Sequence, residues 1–366
     1  MAEVLIAVGV IVALSAFLSV LLIVADSVLL DYGVCTITIN QEEEKKVEGG
    51  KSLLNSLMEQ EIFVPSACGG RGSCGLCKVT VEEGAGPLLP TETPHLTEEE
   101  VENDVRLSCQ IKVRQDMSIV LPEEILSLQQ YEAEVEKIVE LNYDTRLIRL
   151  RLIEPEQMEF TPGQYIQLET PPYGKTPEPV YRAYSIASPL SEPGTIELII
   201  RRVPDGICTT YVFEVLEEGD SATLNGPYGE FYLRDTDAEV VFVAGGSGIA
   251  PIRSILYRMA EEQIQRRATF FYGANERRDL YLVDQMREFE QKIPSFEYVP
   301  ALARPAPDDV WDGETGLVTE VVEGRRDDLS GCEGYLCGSP AMIDATVDVL
   351  TELGIPEDKI YYDKFA

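Results

Sequence analysis

The sequence is almost without histidine. His95 is the only one in 366 residues, which excludes metal sites built from several imidazoles and any mechanism that needs two. Its neighbours, Pro94 and an acidic run from Glu98, place it in a loop with no chemistry of its own. Basic residues are scarce as well: 30 Lys and Arg stand against 64 Asp and Glu, a formal net charge of -34. A surface of that sign repels nucleic acid and anionic headgroups, so neither is expected as a partner. The acidity reads as a solvated surface, with steering of a basic redox partner as the sharper alternative. Eight cysteines are too few for a disulfide scaffold in a chain of this length. Four of them fall into a metal-binding pattern instead, which suggests a reducing compartment. The length exceeds one ordinary core, so two or three domains are expected.

What is present begins with a long apolar run. From Val4 to Ala25 there are 22 residues without a charge. At the helical rise of about 1.5 Å per residue such a run spans a bilayer core, which predicts a transmembrane anchor over residues 1–31. A cleaved signal peptide would need a basic start and a shorter apolar core. Few Lys or Arg flank the run, so charge says little about its orientation.

From Gly33 the pattern becomes short and alternating. Val34–Ile39 reads as a strand, Glu42–Lys46 as a charged turn and Ser52–Glu61 as an amphipathic helix. Three thiols then follow at C-x5-C-x2-C spacing, Cys68, Cys74 and Cys77, with glycines between them, and a fourth, Cys109, comes later. Four thiolates can hold a [2Fe–2S] cluster; the spacing is one residue longer than the C-x4-C-x2-C of plant-type ferredoxins. Structural zinc is the rival, but zinc ribbons present two C-x-x-C pairs and only one occurs here. Residues 32–128 are thus expected to form a small α+β domain carrying the cluster.

Alternation restarts at Tyr131. Five or more short strands separated by Pro and Gly predict an antiparallel barrel over 129–236. Over 237–366, apolar strands alternate with helices, the texture of a parallel α/β layer. Four motifs lie in these two segments. Arg182-Ala183-Tyr184-Ser185 sets an arginine beside an aromatic, suited to a pyrophosphate and a flat ring. Gly206-Ile207-Cys208-Thr209-Thr210 opens a helix with hydroxyls and free N–H groups. Gly245-Gly246-Ser247-Gly248-Ile249-Ala250-Pro251 joins a buried strand to a helix, the setting in which a glycine turn receives a nucleotide. Cys337-Gly338-Ser339-Pro340 stands at the carboxyl end of a later strand, the edge where open α/β sheets bind ligands.

In that order the motifs resemble the ferredoxin–NADP reductase superfamily. The resemblance implies that Arg182, Tyr184, Ser185, Gly206, Thr209 and Thr210 bind FAD. It implies that Gly245, Gly246, Gly248, Pro251, Gly338 and Pro340 bind NADH, with Cys337, Ser185 and Phe365 at the site of hydride transfer. The fusion order of anchor, cluster domain, flavin domain and nucleotide domain is similar to the F subunits of sodium-translocating NADH:quinone oxidoreductases. Further likeness lies in Asn225–Phe231, Phe271–Ala274 and the ending Tyr362–Ala366. This implies an electron path from NADH through FAD to a [2Fe–2S] cluster on Cys68, Cys74, Cys77 and Cys109, and onward to other membrane subunits that reduce quinone. It also implies a single-pass protein of the inner (cytoplasmic) membrane with its soluble domains on the cytoplasmic side. The connection from Arg202 to Gly206 is shorter than in that family and nearer to soluble oxygenase reductases. Two alternatives therefore stand beside it: a tethered reductase feeding an oxygenase or other acceptor, and a nucleotide-binding iron–sulfur sensor without turnover.

Overall fold

The computed structural model describes Val12, residues 14–19, 32–307 and 309–365. Most of the predicted anchor lies outside the described residues. Val12 and 14–19 are helical, and Val12, Leu14, Phe17 and Leu18 are exposed. No helix among the described residues is long and apolar enough to cross a membrane.

The chain divides into two compact units. One takes Gly70–Leu128 together with the residues before Ala67; the other takes Ala67–Gly69 with Gln129–Ala366. In the first, strands β1 (Val34–Ile39), β2 (Glu43–Glu48), β3 (Lys78–Glu83), β4 (Val105–Leu107) and β5 (Met117–Val120) form one sheet in the order β2-β1-β5-β3-β4. β1 and β5 run parallel and the other pairs antiparallel. Helix α1 (Leu53–Met58) starts where the Ser52 hydroxyl accepts the Asn55 N–H. It buries Leu53, Leu54 and Leu57 against Ile37, Ile39, Leu107 and Ile119. The mixed sheet with one helix packed on it is a β-grasp arrangement, a small α+β fold.

One reading of that segment needs correction. The charged stretch expected to be a turn is the edge strand β2, paired antiparallel with β1 from Glu43 to Glu48. An edge strand faces solvent along one side, and charges there discourage further pairing. Only Val47 of β2 is buried, so the alternation that marks a strand was hidden under charge.

The second unit holds two sheets. Strands β6 (Gln129–Glu140), β7 (Thr145–Glu154), β8 (Tyr165–Thr170), β9 (Val180–Ser185), β10 (Thr195–Arg201) and β11 (Ser221–Tyr228) are all antiparallel, in the order β10-β7-β6-β11-β8-β9. An Ile186–Leu198 bridge draws the two outer strands together, closing the sheet toward a barrel. Its interior is the cluster that includes Val135, Ile148, Leu150, Ile166 and Leu198.

The other sheet is wholly parallel: β12 (Glu239–Gly245), β13 (Ala268–Ala274), β14 (Phe296–Leu302), β15 (Glu314–Thr315), β16 (Cys332–Gly338) and β17 (Ile360–Lys364), ordered β15-β14-β13-β12-β16-β17. Helices flank the strands, and apolar clusters cover both faces, as parallel sheets require. The order reverses between β12 and β16. That reversal leaves a crevice at the carboxyl ends of these two strands, the customary ligand position of such folds.

Candidate functional site

The glycine turn sits at this crevice. β12 ends at Gly245, Gly246–Gly248 make one tight turn, and the helix Ile249–Glu261 begins at once, with Pro251 in its first turn where a missing N–H leaves no bond unmade. The helix takes in Ile249, Ala250 and Pro251, the last three residues of the motif, because the turn feeds it directly. Gly248 has to be glycine: a Cβ there would lie 2.2 Å from the Cys337 carbonyl oxygen. That contact joins the third motif to the fourth. A Cβ on Gly338 would in turn meet the Gly245 oxygen at 3.3 Å, and the Phe365 N–H donates to the Gly338 carbonyl at 2.8 Å. Gly245, Gly248, Cys337, Gly338 and Phe365 thus converge at one sheet edge, with Pro340 opening the helix that follows.

Two residues that the motifs did not reveal belong to this neighbourhood. Asp363 lies on β17 directly opposite Cys337. Its residue as a whole is only part-buried, but the carboxyl end is desolvated, and this pushes it up to about 6. Cys337 is itself fully buried, and burial, then the charge of Asp363, raise its thiol well above the ordinary range. Cys337 is therefore a protonated thiol, suited to contact with a flat ring and unsuited to act as a thiolate nucleophile. The second residue is Arg201, at the end of β10. The position a Cβ would take on Gly246 is 3.6 Å from an Arg201 guanidinium nitrogen, and Asp144 holds that guanidinium at 2.8 Å. A cation at the glycine turn suits a pyrophosphate. Lys175, whose Nζ donates to the Thr210 hydroxyl at 3.0 Å, adds a second cation at another helix start.

The flavin motifs meet within the barrel. Arg182, Tyr184 and Ser185 lie on β9, and the helix capped by Gly206 (Ile207–Glu214) packs against β8 and β9. The Cys208 thiol approaches the Val180 carbonyl at 3.7 Å, tying that helix to the start of β9. Thr209 is used differently from Thr210: its hydroxyl accepts from the Val203 N–H at 3.1 Å and closes the turn before the helix. Burial raises the Tyr184 phenol, which keeps it neutral. Ser185 is buried at the strand end, two residues before Ala187. The Ala187 carbonyl accepts from Arg253 of the nucleotide-layer helix at 2.7 Å.

In the first unit, Cys77 and Cys109 are neighbours. A hydrogen bond to Cys109, then burial, raise the Cys77 thiol. Two adjacent thiols of this kind ionise together only when cations take the place of their protons. A Cβ on Gly70 would stand 3.9 Å from the Cys109 Cβ, which lays the glycine loop alongside the fourth cysteine. No three His, Cys, Asp or Glu side chains among the described residues converge on a single metal-ion position. The donor set, all sulfur and spread along a glycine loop, fits a two-iron cluster better than a single ion held at one point.

Comparison with known proteins follows the same divisions. The 2Fe-2S iron-sulfur cluster binding domain family matches residues 37–114, the oxidoreductase FAD-binding domain family 132–232 and the oxidoreductase NAD-binding domain family 242–348. Among solved structures, an Amycolatopsis cytochrome P450 reductase covers 90% of this chain and 98% of its own, with a TM-score of 0.72 and 27% identity. The ferredoxin reductase of a carbazole 1,9a-dioxygenase covers 91% and 99%, with a TM-score of 0.70 and 28% identity. Fold and site together define an oxidoreductase that uses FAD, a [2Fe–2S] cluster and a nicotinamide dinucleotide. The F subunit of the Na(+)-translocating NADH-quinone reductase of Neisseria meningitidis is 37% identical over 95% of this chain and 96% of its own length; that of Idiomarina loihiensis is 36% identical over the whole of both. The chain belongs to this family, the F subunits of Na(+)-translocating NADH-quinone reductases.

Proposed function

We propose that this protein is the NADH-oxidising electron-input subunit of a membrane quinone-reductase complex. FAD, when bound, would supply hydride acceptance with release of single electrons, and a [2Fe–2S] cluster would supply one-electron carriage. The chain's own residues bind and orient. Arg182, Tyr184, Ser185, Gly206 and Thr210 hold the flavin, while Thr209 shapes the turn beneath it. Gly245, Gly246, Gly248 and Pro251 receive the dinucleotide, with Arg201 facing its phosphates; Gly338 and Pro340 form the opposite wall. Cys337 and Phe365 border the reacting rings. Cys68, Cys74, Cys77 and Cys109 hold the cluster. The apolar run Val4–Ala25 anchors the chain to the inner membrane by one span, with the other domains on the cytoplasmic side and further membrane subunits beside it.

The observation that carries this reading is the convergence of the glycine turn, Cys337 and Phe365 at the β12/β16 crevice. The test is a visible spectrum of the purified protein before and after NADH. A flavin band and a [2Fe–2S] envelope that both bleach support it, and a colourless zinc protein ends it. Arg182→Ala is expected to lower retained FAD several-fold, since it removes a charged partner of a phosphate; normal FAD content would remove Arg182 from the site.

The likeness to two reductases of oxygenase systems over nine-tenths of the chain favours a second reading, in which the final acceptor is an oxygenase. Membrane quinone reduction by the protein in complex with its neighbours, against reduction of an added oxygenase by the protein alone, separates the two.

A further inference from the structure

Gln110 follows Cys109 directly, and its side chain turns back onto that cysteine. Its Nε2 donates to the Cys109 Sγ at 3.4 Å, and its Oε1 accepts from the Thr91 hydroxyl at 2.9 Å. The sulfur, an acceptor, selects the N–H end of the amide, and the Thr91 hydroxyl completes the arrangement by donating to the carbonyl oxygen on the other side. With the amide reversed, an oxygen lone pair would confront a sulfur that becomes negative when it binds iron. The cluster loop presses on the same group. A Cβ on Gly72 would stand 2.6 Å from Gln110 Nε2, so the loop runs against this amide, and Gly72 has φ +74°, a backbone conformation that favours glycine. Three elements therefore hold one amide against one sulfur: the Thr91 loop, the Gly72 loop and the turn in which the Gln110 N–H bonds the Leu107 carbonyl.

We propose that Gln110, oriented by Thr91, is a positioning residue that raises the electron affinity of the cluster by hydrogen bonding to the Cys109 sulfur. The proposal rests on the reading of Cys109 as a cluster ligand. Hydrogen bonds to cluster sulfurs draw charge from them and favour the reduced, more negative form, which raises the reduction potential. The bond is made within the part-buried loop, where a neutral donor to an anionic sulfur is stronger than in water. Its consequence is directional: it favours electron transfer from flavin to cluster over the reverse.

The experiment is an anaerobic redox titration of the full chain loaded with FAD and cluster, read by EPR for the cluster and absorbance for the flavin. Gln110→Leu is expected to lower the ratio of reduced to oxidised cluster about tenfold at a fixed potential, equivalent to about 59 mV for a one-electron couple. The flavin midpoint and iron content should not move. Thr91→Val keeps the amide but frees its orientation, and should shift the cluster in the same direction by less. An unchanged cluster midpoint in Gln110→Leu with full iron content overturns the proposal. If that variant loads poorly, an unchanged midpoint in fully loaded Thr91→Val does so instead. Cys109→Ser separates the underlying assumption: if its iron content and EPR signal equal those of the parent protein, Cys109 is no ligand, whatever Gln110 does.

Discussion

Asp363 shows how much one side chain can hide in a sequence. It stands in the ending Tyr362-Asp363-Lys364-Phe365, where attention goes to the aromatic, and nothing in its spacing marks it. Strand pairing places it opposite Cys337, and desolvation raises its carboxyl to about 6. Above that value it is an anion; in the proposed hydride-transfer site it would stand near the nicotinamide ring as that ring gains positive charge, and fixed charge so placed would stabilise the transition state. NADH-driven ferricyanide reduction should therefore fall as pH drops through about 6. Asp363→Asn should lose roughly ten- to a hundredfold in rate and flatten that profile, with FAD and cluster retained. An unchanged inflection in the variant would exclude Asp363 as its source. Stability runs the other way. A carboxyl raised from 3.8 when folded keeps its proton longer than in the unfolded chain. Stability thus declines as pH rises from about 3.8 to about 6 and stays lower above that. Asp363→Asn should melt no lower than the parent at about pH 7.

Among the elements, the segment before Cys109 depends on a latch that no local pattern announces. Glu92 is fully buried; its carboxylate accepts from Arg106 at 3.0 and 2.6 Å and from the Leu89 and Leu107 N–H groups at 2.9 and 3.0 Å. Arg106 also donates to the Gly86 and Pro87 carbonyls, both at 3.0 Å. The loop from Gly84 to Leu96 is thus clamped to the strand that leads into Cys109. Burial pushes the Glu92 carboxyl up, but these hydrogen bonds together outweigh it and hold it below its ordinary value. This contribution to stability is present above the unfolded value of about 4.5 and is lost as pH falls below it. Glu92→Ala leaves the Arg106 charge buried without its partner and should cost about 3–5 kcal/mol. Chemical denaturation at neutral pH checks the figure, and a loss under about 1 kcal/mol would mean that the loop relaxes around Arg106. Strands are legible in the sequence where side-chain period is plain, as in Val34–Ile39. β2 is not legible in this way, because its pairing rests on backbone bonds while its side chains face water.

Across the whole second unit, the barrel and the parallel layer share one core, in which Leu147, Ala187 and Ile199 pack with Phe242, Ile252 and Cys337. A polar joint sits inside that contact. Arg253 is 5% exposed and donates to Glu197 at 2.6 Å as well as to the Ala187 carbonyl, while Ser254 donates to the Ser188 carbonyl at 2.7 Å. Arg149 binds the other Glu197 oxygen at 2.9 Å, so the carboxylate is gripped from both sides. This joint spans the chain segments that carry the flavin motif and the nucleotide turn. Arg253→Ala should destabilise the protein by about 3 kcal/mol, the lower end for a broken buried pair because Arg149 remains. The release of flavin fluorescence on heating would then come several degrees earlier; an unchanged transition would show that apolar packing alone fixes the two sheets.

The sequence by itself determined the kinds of chemistry present. Spaced thiols on glycine, an arginine beside a tyrosine and a glycine turn after a buried strand are local patterns, and local patterns survive in one dimension. Tertiary structure decided which groups meet. Gly248 on the Cys337 carbonyl, Asp363 beside the Cys337 thiol, Arg201 over the glycine turn and Thr91 behind Gln110 all join residues distant in the chain. Such contacts arise from strand order and burial, and burial is also what sets the ionisation of the groups so brought together.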